Sequence, residues 1–152
     1  MNAVLLHKLN QRFFGRFGVA SRGIEFIIFL LFNSVVPVTT VIGKSSRFAY
    51  GGIGVVLHKR AVIGEGCVIG QGCTLGAKEA YVSEEATIGP TVEDNVYIGP
   101  GSRIIGPITV GHSSVIAANA VVTKDVEPHS IMAGVPATRI GSTAEGYRAI
   151  RL

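Results

Sequence analysis

A solenoid of short β-strands behind a short helical N-terminal segment is the fold class this sequence predicts. Three observations predict it. From residue 57 onward large aliphatics recur every six residues; glycines are abundant, 20 of 152 residues, with no tryptophan; and helical spacing is confined to residues before about 36. A strand alternates every two residues and a helix every 3.6, so neither alone produces a period of six. Short strands wound into coils do. One aliphatic per sextet points inward, a small residue lets the chain turn, and each coil buries its aliphatics against the coils above and below.

The first element is the helical segment, residues 1–38. Leu5, Leu9, Phe13 and Phe17 stand at four-residue steps, with Lys8, Arg12, Arg16 and Arg22 near the helical period between them. Ser21 reads as an N-cap, with Glu25 in the first turn or so after it. Residues 24–32 are apolar apart from Glu25, but the run is shorter than the roughly 20 residues of a membrane span. It stops at Asn33-Ser34, with Pro37 just beyond. Such a helix is expected to pack its apolar face on the rest of the domain or on a neighbouring subunit. The upstream basic residues suit a second role for residues 24–36, peripheral contact with a membrane surface. The N-terminus lacks a long apolar core followed by a small-residue cleavage site, so a cytoplasmic protein is expected, with any membrane contact at the inner face.

Residues 39–141 form the solenoid. Sextets open at Leu57, Ile63, Ile69 and Leu75, and the pattern resumes at Val92, Ile98, Ile104, Val110, Ile116 and Val122. At three sextets per coil this makes about three coils, near the minimum for a stable stack. Cys67 and Cys73 occupy the small fifth position that Ala61, Ser102 and Ala120 fill elsewhere, so both are expected to pack inward. Their spacing signals neither a disulfide framework nor a structural zinc site.

Two stretches break the pattern. Leu75 to Val92 is seventeen residues, one fewer than three sextets, and residues 77–90 read as a loop thrown out from the stack. Loops on a rigid scaffold commonly carry function. The second break is Phe48-Ala49-Tyr50-Gly51-Gly52-Ile53-Gly54, which does not make a dinucleotide fingerprint. Residues 142–152 form a tail.

Composition excludes several classes. At 47% hydrophobic and 16% charged, against about 25% charged for an average chain, this is not a disordered protein. The net charge is +4 without a dense basic run, so no nucleic-acid partner is expected; a phosphorylated small molecule fits the charge equally well.

The sextets, together with the ending Ala133-Gly134-Val135-Pro136-Ala137, resemble the hexapeptide-repeat acyltransferases over about residues 40–141. The nearest likeness is to the serine acetyltransferase-like branch, which includes small enzymes that acetylate cell-surface sugars. The resemblance implies a left-handed parallel β-helix of triangular section, a homotrimer with active sites between subunits, and acetyl-CoA as donor. Serine acetyltransferases proper carry an Asp-His pair before a Gly-Val-Val segment and a second His in the extruded loop. Here Tyr50-Gly51 stands where the pair would fall, before Gly54-Val55-Val56, and residues 77–90 contain no His. The run from Tyr50 to His58 resembles a branch in which His58 is the natural catalytic residue.

Moving an acetyl group from a thioester to a hydroxyl requires a base for the hydroxyl proton, and imidazole, with a pKa of about 6.5, suits it. His58 replaces the Gly or Ala that usually follows the inward aliphatic. His7 is expected on the surface, and His112 and His129 in solvated turns. Tyr50 is a further candidate, to orient the acceptor or donate to the oxyanion. Glu65 or a residue of another subunit would serve as acidic partner to His58. β-Helical carbonic anhydrases set three His around a zinc, two of them a few residues apart; His58 and His112 are 54 positions apart, so no metal is expected.

For the coenzyme, residues 117–125 resemble the family's final-coil motif, which carries over to Ala118, Thr123 and Lys124. Pro100 lies eighteen residues before Ala118, one coil earlier on the same face, and Arg139 is a candidate for the phosphates. Lys124 and Arg139 equally fit ordinary solvated charge. The function expected is acetyl-CoA-dependent O-acetylation of a sugar, polysaccharide precursor or serine hydroxyl. The alternative is a non-catalytic trimeric β-helix acting as scaffold or partner-binding subunit.

Overall fold

The computed structural model describes residues 2–14, 18–78 and 88–144. The expectations for Arg16 and Phe17, for the middle of the 77–90 loop and for most of the tail lie outside these residues.

Two helices come first, α1 (Ala3–Phe14) and α2 (Gly18–Phe32). Four coils follow, each of three short strands. The first holds β1 (Val41–Ile42), β2 (Arg47–Phe48) and β3 (Val56–Leu57). The second holds β4 (Val62–Ile63), β5 (Val68–Ile69) and β6 (Thr74–Gly76). The third holds β7 (Thr91–Val92), β8 (Tyr97–Ile98) and β9 (Arg103–Ile105). The fourth holds β10 (Thr109–Val110), β11 (Val115–Ile116) and β12 (Val121–Val122). A hairpin of β13 (Ser130–Gly134) and β14 (Ala137–Ser142) ends the described chain.

The strands stack into three faces: β1-β4-β7-β10, β2-β5-β8-β11-β13-β14 and β3-β6-β9-β12. All pairings are parallel except β13 with β14. The sextet aliphatics fall in register down each face, as in Leu57, Leu75, Ile104 and Val122. All ten predicted inward residues are at most 2% exposed. At about 1.5–3 kcal/mol per fully buried aliphatic, this column is the main cohesive term.

The coil count corrects the sequence estimate of about three. Val35 pairs in parallel with Val56, and Val36, Ile42 and Phe48 are buried at six-residue steps, so the pattern starts at Val36. A three-residue insertion between Phe48 and Leu57 hides it. The insertion forms a 3₁₀ turn, Ala49–Gly52, at a corner of the first coil, not a preface to it.

The corners explain much of the polar composition. At the corner between the first and second faces, Ser45, Gly66, Asn95, Ser113 and His129 all take left-handed backbone, φ between 57° and 67°. Between the second and third faces, Gly72, Gly101 and Asn119 do the same. Gly and Asn suit such positions because they carry the least steric penalty there.

Helix α1 lies across the open end of the first coil. Ala3 and Val4 are buried, Lys8 Nζ donates to Gly43 O at 3.0 Å, and Asn2 Nδ2 donates to Phe48 O at 3.1 Å. It covers an end that would otherwise expose the core, as solenoid caps do. His7, expected on the surface, is instead fully buried, its Nε2 3.1 Å from Thr40 O. Ser21 is a buried residue inside α2, which begins at Gly18, so it is not the N-cap; its carbonyl accepts Asn10 Nδ2 at 3.2 Å. Cys67 and Cys73 are buried free thiols, and burial pushes both thiol pKa values up.

Candidate active site

His58 sits where β3 turns toward β4, at the corner between the third and first faces. Its backbone is pinned: its N–H donates to Leu75 O at 2.8 Å and its carbonyl accepts Thr40 Oγ1 at 3.2 Å. The half-buried ring receives the Arg60 N–H on Nδ1 at 3.3 Å. Gly89, at the end of the extruded loop, closes over it. A Cβ on Gly89 would lie 2.8 Å from Nδ1 and 2.8 Å from Ala61 N, so only glycine leaves the ring in place. Burial, and then the Lys59 and Arg60 charges, lower the His58 pKa from its ordinary value, which leaves the imidazole neutral near pH 7.

This seating has a chemical consequence. With Nδ1 accepting an N–H, the neutral ring carries its proton on Nε2, which then donates rather than accepts. Proton acceptance therefore falls to Nδ1, or to the other tautomer once the Arg60 contact is released.

Glu65 does not orient His58. It lies on the next corner, where its N–H donates to Asp94 Oδ1 at 2.7 Å. A cleft of about 380 Å³ beside His58 is lined by Thr39, Val41, Ala61 and Val62 with Lys59 and Arg60, and the sequence reading did not anticipate it.

The remaining predicted residues divide between two other parts of the surface and the top of this one. Thr123 and Lys124 share the His58 corner, but three coils up, about 14 Å at the usual strand spacing. Pro100 and Ala118 occupy equivalent positions on the corner between the second and third faces, since Tyr97 and Val115 are in register and Pro100 O accepts the Asn119 N–H at 2.9 Å. Tyr50 belongs to that same corner, in the first coil. It holds left-handed backbone (φ 51°, ψ 37°) and is 72% exposed. Left-handed backbone in a bulky residue is a local strain of the kind that collects at functional sites. Arg139 lies exposed on β14, opposite Met132. One chain thus does not gather these residues into a single cavity.

Two further features escaped the sequence reading. Gln71 stacks beneath Pro100, its carbonyl accepting the Gly101 N–H at 2.9 Å, and its Oε1 is buried with no hydrogen-bond partner. An orphaned buried acceptor calls for a donor. His112 and His129, expected as separate solvated turns, meet edge to face with ring centroids 4.9 Å apart. They are 17 positions apart, one coil less one residue, so the hexad register could have paired them. Among the described residues no group of three or more His, Cys, Asp or Glu could hold a metal ion.

Comparison with known proteins agrees with this architecture. Residues 89–124 match the family model for bacterial transferase hexapeptide (six repeats). A serine acetyltransferase of Mycobacterium tuberculosis is 50% identical over 54 residues, 36% of this chain and 24% of that protein. A putative serine acetyltransferase of Schizosaccharomyces pombe is 30% identical over 114 residues, 64% of this chain and 42% of that protein. The crystal structure of a serine acetyltransferase from Brucella abortus in complex with coenzyme A superposes with TM-score 0.84 at 30% identity, over 93% of this chain and 55% of that one. The chain therefore spans between a quarter and about half the length of these relatives.

Proposed function

We propose that this chain belongs to the hexapeptide-repeat, left-handed β-helix acyltransferases on their serine acetyltransferase-like branch and is an acetyl-CoA-dependent O-acetyltransferase. The observation that carries the proposal is the likeness, over 93% of the chain, to a serine acetyltransferase crystallised with coenzyme A. The named relatives favour serine as acceptor. A sugar or polysaccharide-precursor hydroxyl is the other acceptor, favoured by Tyr50-Gly51 standing where the Asp-His pair falls.

In this reading the acceptor oxygen attacks the thioester carbon and its proton passes to the His58 imidazole. Collapse of the tetrahedral oxyanion expels the coenzyme thiolate, which takes that proton back. Backbone N–H groups or the Tyr50 hydroxyl would hold the oxyanion, the largest single stabilising effect in acyl transfer. The coenzyme would lie along the Pro100–Ala118 corner, where the unpaired Gln71 Oε1 suits an amide N–H of the pantetheine arm. Thr123, Lys124 and Arg139 would meet its phosphates. A homotrimer belongs to the same reading: it would set the Pro100–Ala118 corner of one chain against the His58 corner of the next, which also carries Thr123 and Lys124. The work would be cytoplasmic, where acetyl-CoA is made, with residues 24–36 at the membrane face.

A specific observation favours a second reading, a non-catalytic scaffold: Nδ1 of His58 is engaged by the Arg60 N–H, and among the described residues no carboxylate hydrogen-bonds to the ring. Thiol release from acetyl-CoA against a panel of serine, sugars and nucleotide sugars separates the two. The enzyme predicts release that depends on one acceptor and falls about 10²–10⁴-fold in His58→Ala, the usual contribution of a general base. Its acid limb lies below the ordinary imidazole pKa, because the lowered proton affinity keeps the base free to lower pH. Unchanged turnover in His58→Ala removes the base assignment. No release, and no thermal shift with coenzyme A, favours the scaffold.

A further inference from the structure

We propose that the outward faces of α1 and α2 form a docking surface for an anionic lipid bilayer; the inference deepens the membrane placement of residues 24–36 given above and does not depend on the transferase chemistry. One face of α2 packs inward through Ser21, Ile28 and Phe32. The opposite face leaves Phe26, Ile27, Leu30 and Leu31 between 45% and 63% exposed, and α1 adds exposed Leu5 and Leu9. Scattered exposed leucines need no account, but a contiguous apolar face does.

The charges on this face have one sign. Arg22 is exposed on α2 and Arg12 on α1, whose sequence contains no acid. The only acid of either helix, Glu25, is turned away, its Oε1 accepting the Val38 N–H at 2.6 Å. Arg22 and the half-buried Glu25 border a cleft of about 330 Å³ between α2 and the first coil, walled by Phe29 and Val35, so Glu25 sits at the edge of this face and not on it.

Apolar side chains flanked by arginines suit a helix lying in the interface, side chains among the acyl chains and guanidinium groups on lipid phosphates. At 15 residues α2 is about 22 Å long, against a hydrocarbon core of about 30 Å, so it rests on the bilayer and does not cross it. A second copy fits less well. A two-fold contact would set this face against itself, and neither α1 nor α2 carries an exposed carboxylate to pair with its arginines.

Flotation of the full chain with phosphatidylcholine vesicles, with and without phosphatidylglycerol, tests the proposal. Expected is flotation with the anionic vesicles only, weakened by salt. Arg22→Gln should lower binding about fivefold, the effect of one basic residue near an anionic surface. Leu30→Glu should abolish flotation while the thermal midpoint is kept. Absence of flotation by the unmodified chain overturns the proposal. So does a Leu30→Glu variant that still floats but sediments at lower mass, which would show a second copy on this face. Should Leu30→Glu not fold, the surface variant Arg22→Gln decides, and unchanged binding there is fatal to the role of the anionic surface.

Discussion

Two imidazoles of this chain are held below their ordinary proton affinity, and the consequences differ. His7 is buried beneath α1 with Nε2 on the Thr40 carbonyl, and its Nδ1 is buried without a partner. Burial is the main cause of its lowered pKa; the Thr40 hydrogen bond opposes it. Because the folded ring gives up its proton more readily than the unfolded one, the unfolded chain binds more protons below the ordinary value of 6.5. Stability is therefore steady at higher pH and is lost as pH falls through that value, each tenfold loss of proton affinity being about 1.4 kcal/mol. The thermal midpoint should fall between pH 7.5 and 5.5, and the fall should shrink in His7→Gln; an equal fall in the variant would place the titrating group elsewhere. A four-residue helical step places His7 on one side of α1 but does not say which side meets the coil. His58 differs: its position beside an inward aliphatic was legible in the hexad pattern. The contact of the Arg60 N–H, two residues on, depends on the ring's rotamer, and the lid of Gly89 on the path of a loop with no periodicity, so neither was.

At the scale of the element, the corners are the least forgiving parts. A Cβ on Gly99 would stand 2.6 Å from Ala118 N and 2.8 Å from both Ala117 C and Ile116 O, all of them backbone in the next coil. Gly99→Ala is expected to lower stability by about 1–3 kcal/mol, the usual range for overpacking. Ile104→Ala, at 0% exposure in the middle of its face, should lower it by about 2–5 kcal/mol by leaving a cavity. Denaturant titration reads both. A neutral Gly99→Ala would mean that the coils shift apart locally without penalty. The same spacing of about 4.8 Å between strands explains why six of the ten sextets carry Gly or Ala in second position, while His58, Glu93, Ile105 and Thr123 fill it in the others.

The whole molecule is a stack whose stability is the sum of coil-to-coil contacts, closed below by α1 and above by the β13–β14 hairpin. Its candidate groups lie on separate corners, and the proposed homotrimer predicts a solution mass three times the 16.0 kDa chain. Sedimentation equilibrium checks this; a monomer that nevertheless turns over acetyl-CoA would require the site to be rebuilt within one chain. The coil architecture from Leu57 onward, the inward column, the buried cysteines and the pairing of Pro100 with Ala118 were all determined by the sequence itself, because one local rule, a large aliphatic every six residues, sets the register of the strands from β3 to β12. Only the tertiary structure decided the rest: that the first coil begins at Val36 behind an insertion, that His7 is interior and Ser21 mid-helix, that Glu25 turns inward, and that His112 meets His129. Each of these depends on how non-repeating segments pack against the stack, which is a matter of long-range contact that no period encodes.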